Sequence, residues 1–188
     1  MAYTVFESIN MGSTHYAERI FDCVCDKDIE NGTFGYLGDL VSTGYETIYN
    51  FVPGTDDNVT LVVVDQPAWD EDECCRLNQK RDRFIIPAGT PFRVRAIKKG
   101  DEFGITIDGF IPSARELVKI AQDYVDPYLF VTIDSATGKL NCTTSSTHNA
   151  IMAGRIMRKR IIGGTLVTPL RTYGEASTMY EIKIDSVA

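Results

Sequence analysis

The sequence predicts a mainly β protein: an antiparallel sandwich or barrel-like domain with one or two short helices. Three observations lead there. Apolar residues recur with a period of two in segment after segment, as in "FRVRAIK" (92–98), "EFGITID" (102–108) and "MYEIKID" (179–185). Turn signals rich in Gly, Asn, Asp and Pro punctuate these segments along the chain. The 188 residues are 44% hydrophobic and 24% charged, an ordinary globular balance that can build a core without metals or disulfides.

The elements follow in order. Residues 1–18 read as an extended N-terminal arm, and 19–188 as a single β-rich domain. Strands are expected at 19–25, 33–41, 46–52 and 59–65. The unbroken apolar run "LVVV" in the last of these suits a strand buried on both faces. Further strands are expected at 92–98 and 102–108, with "KKGD" (98–101) closing a tight hairpin between them. A second hairpin turn is expected at "DSATGKL" (134–140), after the strand at 129–134, with Gly138 supplying the positive φ. The stretch 141–149 reads as a polar loop. The last strands fall at 155–162, 164–173 and 179–185.

One helix is expected at about 114–125. Ser113 and Glu116 match the Ser-x-x-Glu capping box, and Leu117, Ile120, Ala121 and Tyr124 repeat at helical spacing. Asp126-Pro127 ends it, because a residue before proline avoids the α region. A weaker helical pattern covers 68–79, with acids first and bases last, as the helix dipole prefers.

Candidate chemistry is sparse. The five cysteines are Cys23, Cys25, Cys74, Cys75 and Cys142. They lack zinc-site spacing and have no nearby histidine, so no metal and no cofactor is expected. With no signal-like N-terminus, they are expected to be free thiols of a chain made in the cytoplasm. No segment approaches the length of an apolar membrane span. The two histidines are His15 and His148. Cys142 with His148 is the one nucleophile–base pair that a small hydrolase could use. A β-barrel binding a ligand in its interior is the other alternative. The acid run Asp70, Glu71, Asp72, Glu73 reads as a solvated face, since it lacks calcium-loop spacing.

The feature that stands out is a basic strip, Arg155, Arg158, Lys159 and Arg160, in a chain of net charge -7. On a strand of period two, Arg158 and Arg160 share one face while Arg155 and Lys159 share the other. An acidic chain without aromatic platforms beside its bases is not a nucleic-acid binder. The four residues are therefore expected to bind an acidic protein partner, where charges fix register and steer docking.

The blocks "NGTFGYLGDL", "YNFVPGT", "VVVDQPAWDEDECCRLNQKRDRFIIPAGTPFRVRAIKKGDEFGIT", "LFVTIDSATGKL", "GRIMRKRIIGGTLV" and "TYGEASTMYEIKI" resemble head decoration (capsid cement) proteins of tailed bacteriophages of Gram-positive bacteria. The resemblance runs from about Ile20 to Asp185. It implies a non-enzymatic virion protein on the capsid exterior that clamps the head lattice. Its partners would be the major capsid protein and neighbouring copies of itself, without direct contact to nucleic acid or membrane. A tail or connector component is the alternative structural role. The helix at 114–125 and the polar loop at 141–149 stand out as additions to the family pattern.

Overall fold

The run Leu61-Val62-Val63-Val64 is buried along its whole length, and the reason organises the molecule. In the computed structural model, Val62 and Val64 point into one apolar core while Leu61 and Val63 point into another. The structure describes residues 3–14, 19–41, 47–56, 59–66, 84–120, 129–145, 150–162 and 177–187. The expected helix at 68–79, the expected strand at 164–173, Cys74, Cys75 and both histidines lie outside them.

The strands in chain order are β1 (Phe6–Asn10), β2 (Ile20–Val24), β3 (Phe34–Leu40), β4 (Ile48–Pro53), β5 (Leu61–Val64), β6 (Phe92–Ala96), β7 (Glu102–Thr106), β8 (Phe130–Ile133), β9 (Leu140–Thr143), β10 (Met152–Ile162) and β11 (Ser177–Val187). Helix α1 (Pro112–Ile120) lies between β7 and β8. The fold is mainly β, as the periodicity predicts. Five strands close a barrel in the order β2-β4-β3-β5-β6, and six form an open sheet in the order β1-β7-β11-β10-β8-β9. Every described pairing between two of these strands is antiparallel except β2 with β4, which run parallel.

The barrel interior is filled by its own side chains. Cys23, Phe51, Val62, Val64, Phe92, Val94 and Ala96 form its core, with Phe51 and Phe92 edge-to-face at 5.6 Å. Small barrels fill in this way because their strands leave room only for inward side chains. The alternation on β6 is regular: Phe92, Val94 and Ala96 point in, while Arg93 and Arg95 point out.

The second core lies between the barrel wall and the six-stranded sheet. Phe34, Leu61, Val63 and Ile97 from the barrel side meet Phe103, Ile105, Tyr180 and Ile182 from the sheet. Phe34 and Phe103 pack at 5.5 Å. A polar clasp adds to this contact. The Phe34 amide donates to the Gly138 carbonyl at 2.8 Å, and the Gly54 amide donates to the Phe34 carbonyl at 3.0 Å. Gly138 has φ +66, and a Cβ there would strike the Phe34 carbonyl oxygen. The turn glycine read from the sequence thus also brings the β8–β9 turn against the barrel.

Several expectations are corrected. Within the expected N-terminal arm, 1–18, the described residues 3–14 include β1, which pairs with β7 as an edge strand, and Val5, Phe6 and Met11 are buried. Their apolar positions are spaced irregularly, and a bulge between Ser8 and Asn10 breaks the alternation. The turn at 98–101 forms, with the Asp101 amide on the Lys98 carbonyl at 3.2 Å. It does not close a hairpin, because β6 belongs to the barrel and β7 to the sheet. Turn chemistry is local, whereas the choice of pairing partner is not. The polar stretch from Asn141 begins as β9, paired with β8.

Helix α1 opens at Pro112, so Ser113 is inside the first turn rather than capping it. Proline is favoured as the first helical residue because the amide it lacks would have had no partner there. Its buried positions are Ala114 and Val118, with Leu117 packed beside them. Residues 121–125 of the expected helix lie outside the described residues.

Candidate protein-binding face

Strand β11 sorts its side chains cleanly. Tyr180, Ile182 and Ile184 enter the core shared with the barrel. Met179, Glu181 and Lys183 alternate with them and take the opposite, outer face of the six-stranded sheet. The basic strip of β10 lies beside them.

A β-bulge decides how that strip is displayed. Ile156 pairs with Ile182, yet Arg158 pairs with Glu181, so Met157 is the extra residue. A bulge shifts the alternation by one residue. Arg155 is opposite Lys183, Arg158 opposite Glu181 and Arg160 opposite Met179, all on the outer face. Lys159 is opposite Tyr180 and faces the other way. The strict period-two expectation, with Arg155 sharing a face with Lys159, is therefore wrong. Three arginines share one face, and Met157 is 44% exposed next to them.

These arginines meet acids of their own sheet. Arg158 donates to Glu181 through Nε. Arg160 donates to Glu7 of β1, and its Nε lies 2.9 Å from the second oxygen of Glu181. Arg155 pairs with Asp185 at 3.4 Å, and Lys183 with Glu102 at 2.7 Å. Four bases thus face four acids, which answers why an acidic chain carries a basic strip. The acidic residues on β1, β7 and β11 complement it. The strip's neighbours in space are 19 to 153 residues away along the chain. Lys159 makes no ion pair among the described residues.

The pairing is layered. Glu181 is recessed, its side chain 11% exposed, while the Arg158 side chain is 64% exposed and Arg160 38%. The face is neutral by count, and around Glu181 the arginines are the more exposed partners. Gly104 makes the layering possible. It lies between Glu7 and Glu181 in one row across the sheet. A Cβ there would come within 2.5 Å of the Met179 sulfur. Met179 in turn lies 3.3 Å beneath the Arg160 guanidinium.

A second polar cluster marks the junction of barrel and sheet. Glu30 accepts from the Thr4 amide and hydroxyl at 3.0 and 2.7 Å, and Lys139 Nζ lies 3.4 Å from its carboxylate. Lys139 also donates to the Asp108 carbonyl at 3.1 Å, and Arg115 pairs with the Asp108 side chain at 3.5 Å. Burial raises the Asp108 carboxyl above its usual range, with Arg115 and Lys139 opposing and Glu30 adding to the rise. Nothing in the sequence singles out these residues, because four separate segments supply them.

The sites expected for other chemistry look different. Cys142 is buried, and desolvation pushes its thiol up to about 11, which keeps it protonated and a poor nucleophile at neutral pH. Cys23 is pushed up to about 12 by burial, with the Asp22 charge adding to it. Cys23, Cys25 and Cys142 are free thiols. Among the described residues no group of three or more His, Cys, Asp or Glu is placed to hold a metal ion, and no helix is long and apolar enough to cross a membrane. The barrel interior, the place for a ligand in the alternative reading, contains the packed Phe51–Phe92 pair. Comparison with known proteins found no matching family model, curated protein or solved structure.

Proposed function

We propose that this chain is a non-enzymatic structural protein of a phage virion, a decoration protein that binds the outer surface of the capsid and stabilises the head lattice. The observation that carries the protein-binding part is the composition of the outer sheet face. Arginine and methionine are enriched at protein interfaces, and here Arg155, Met157, Arg158 and Arg160 are gathered on one face by a bulge. The packing between sheet and barrel supports a clamping role, since a part that braces a shell must itself resist bending. The likeness of the sequence blocks to head decoration proteins supplies the virion context and names the major capsid protein as partner.

The test is co-sedimentation of purified chain with capsid shells that lack it. A decoration protein saturates at many copies spread over the shell. A tail or connector component would saturate at a few copies at one vertex. No binding to shells at all would end the capsid reading.

A further inference from the structure

We infer that Asn31-Gly32 is a deamidation site that the fold keeps closed. It reacts when the barrel opens, and the product then blocks the return to the native state. The inference is independent of the capsid reading and of the outer sheet face. Asn31-Gly32 is the one Asn-Gly pair in the chain, and every other asparagine precedes a residue with a side chain. Glycine has no Cβ to shield its backbone nitrogen, so asparagine deamidates fastest in front of it.

The chemistry needs two groups to be free. Hydroxide takes the Gly32 amide proton, and the nitrogen attacks the Asn31 side-chain carbonyl carbon. A carbon–nitrogen bond forms, the bond from that carbon to Nδ2 breaks, and the departing group takes a proton from water and leaves as ammonia. Water then opens the succinimide ring at either carbonyl, giving aspartate or isoaspartate. In the folded chain both groups are engaged. The Gly32 amide donates to the Val64 carbonyl at 2.9 Å. Asn31 Nδ2 donates to the Gln66 carbonyl, and Asn31 Oδ1 accepts from the Gln66 amide, both at 2.9 Å. The side-chain amide thus pairs with Gln66 as a neighbouring strand would. Loss of the Gly32 proton breaks the bond to Val64, and loss of Nδ2 breaks the bond to the Gln66 carbonyl. The turn is pinned further: Thr33 Oγ1 donates to the Glu30 carbonyl at 2.8 Å, and the Val64 amide donates to the Thr33 carbonyl at 3.0 Å. Asn31-Gly32 is therefore released only when the approach to β3 separates from the end of β5.

Neither product fits the place that Asn31 leaves. A carboxylate accepts hydrogen bonds but cannot donate one. Aspartate at position 31 would set an acceptor against the Gln66 carbonyl and remove that carbonyl's donor, a loss that burial makes costly. Isoaspartate lengthens the main chain by one carbon just before Gly32, which is buried with φ +74. The surroundings are tight there. A Cβ on Gly32 would lie 3.0 Å from Ile105 Cδ1 and 3.2 Å from Thr4 Cγ2. Ile105 belongs to β7 and Thr4 precedes β1, so a displaced backbone at this turn presses on the seam between barrel and sheet. A chain that stays open long enough to react is thereby kept from closing again.

The experiment follows conversion at Asn31 by mass spectrometry of its peptide, at mildly alkaline pH. The intact native chain is compared with the same chain held in urea. The native chain is expected to convert at least about tenfold more slowly, because the free energy of opening sets how often the pair is exposed. Exchange of the Gly32 amide hydrogen in the native chain should be slowed by a similar factor, since both reactions need the same opening. Equal conversion in native and urea-held chains would overturn the protection. A strongly protected Gly32 amide beside fast conversion would overturn the role given to the Val64 bond. The block on return is tested by ageing the chain in urea, diluting it, and separating folded from unfolded material by size exclusion. Converted Asn31 should be at least about threefold enriched in the unfolded fraction, as when chemical change outpaces refolding. Asn31→Asp, which supplies one product from the start, should show a lower urea midpoint than the native chain or fail to fold. Equal conversion in the two fractions, or an Asn31→Asp chain as stable as the native one, would overturn the block.

Discussion

The barrel and the six-stranded sheet are built from the same kind of strand and differ in where they put their charge. The barrel closes on itself, so it has no edges and its inward face is apolar throughout. The sheet stays open, with β1 and β9 as its edges. Its inner face joins the shared core, while its outer face carries four acids and four bases in contact. The barrel is thus held chiefly by packing. The sheet is held by packing on one side and by a charge lattice on the other. The described barrel interior is occupied by its own side chains, whereas the outer sheet face keeps its charged groups at the surface.

The strongest test of this contrast is to hollow the barrel. Phe51→Ala should cost about 3–5 kcal/mol, because removing a large buried ring forfeits its transfer energy and leaves a cavity. Urea unfolding followed by circular dichroism should show one transition at a lower midpoint. Leu61 and Val63 tie the barrel wall to the sheet, so the two should unfold together. Two separated transitions would show that the shared core does not couple them. Binding through the sheet face should be unaffected below the new midpoint.

An intermediate effect is expected from the charge lattice. Arg160→Ser removes the contact between β1 and β11 and leaves Glu181 with Arg158 alone. The cost should be about 1–3 kcal/mol, the range for leaving buried acceptors short of a donor. Hydrogen exchange should locate the loss in β1, whose amides would exchange faster than those of β7. A variant as stable as the native chain would mean that the Arg160 contacts do not hold β1 to β11.

How much of this was legible in the sequence varies by element, for physical reasons. The strands were legible where alternation is regular, as in β6, and where a run is wholly apolar, as in β5. The position of the basic strip was legible too, but its display was not. "RIMRKR" alternates equally well with or without an extra residue at Met157, and only the pairing with β11 reveals the bulge. The acids opposite the strip were invisible for a similar reason. Glu7, Glu102 and Glu181 come from three strands, and their neighbourhood depends on the order β1-β7-β11-β10, which no local pattern encodes. The capping box at Ser113 was misleading because Ser-x-x-Glu describes a preference, and Pro112 satisfied the helix start one residue earlier.

The smallest expected effect lies at the junction between barrel and sheet, and it turns on the sign of a single titration. Asp108 ionises above its ordinary value of 3.8 in the folded protein, mainly because burial disfavours its charged form. A carboxyl raised in this way favours the folded state most when protonated. Its contribution is full below 3.8, where folded and unfolded chains both bind the proton. It is lost as pH rises through the folded value, because the unfolded chain releases the proton more readily. Asp108→Asn carries no ionisable group, so it should escape that loss. Its stability relative to the native chain should rise with pH across this window and then level off. The Arg115 contact opposes the trend, but it is already included in the net direction, since Arg115 lowers the same carboxyl less than burial raises it. Urea midpoints of the two proteins from strongly acidic to neutral pH would measure the difference. A relative stability that instead falls as pH rises would show that the ion pair to Arg115 outweighs burial, and that the junction is held by charge much as the outer sheet face is.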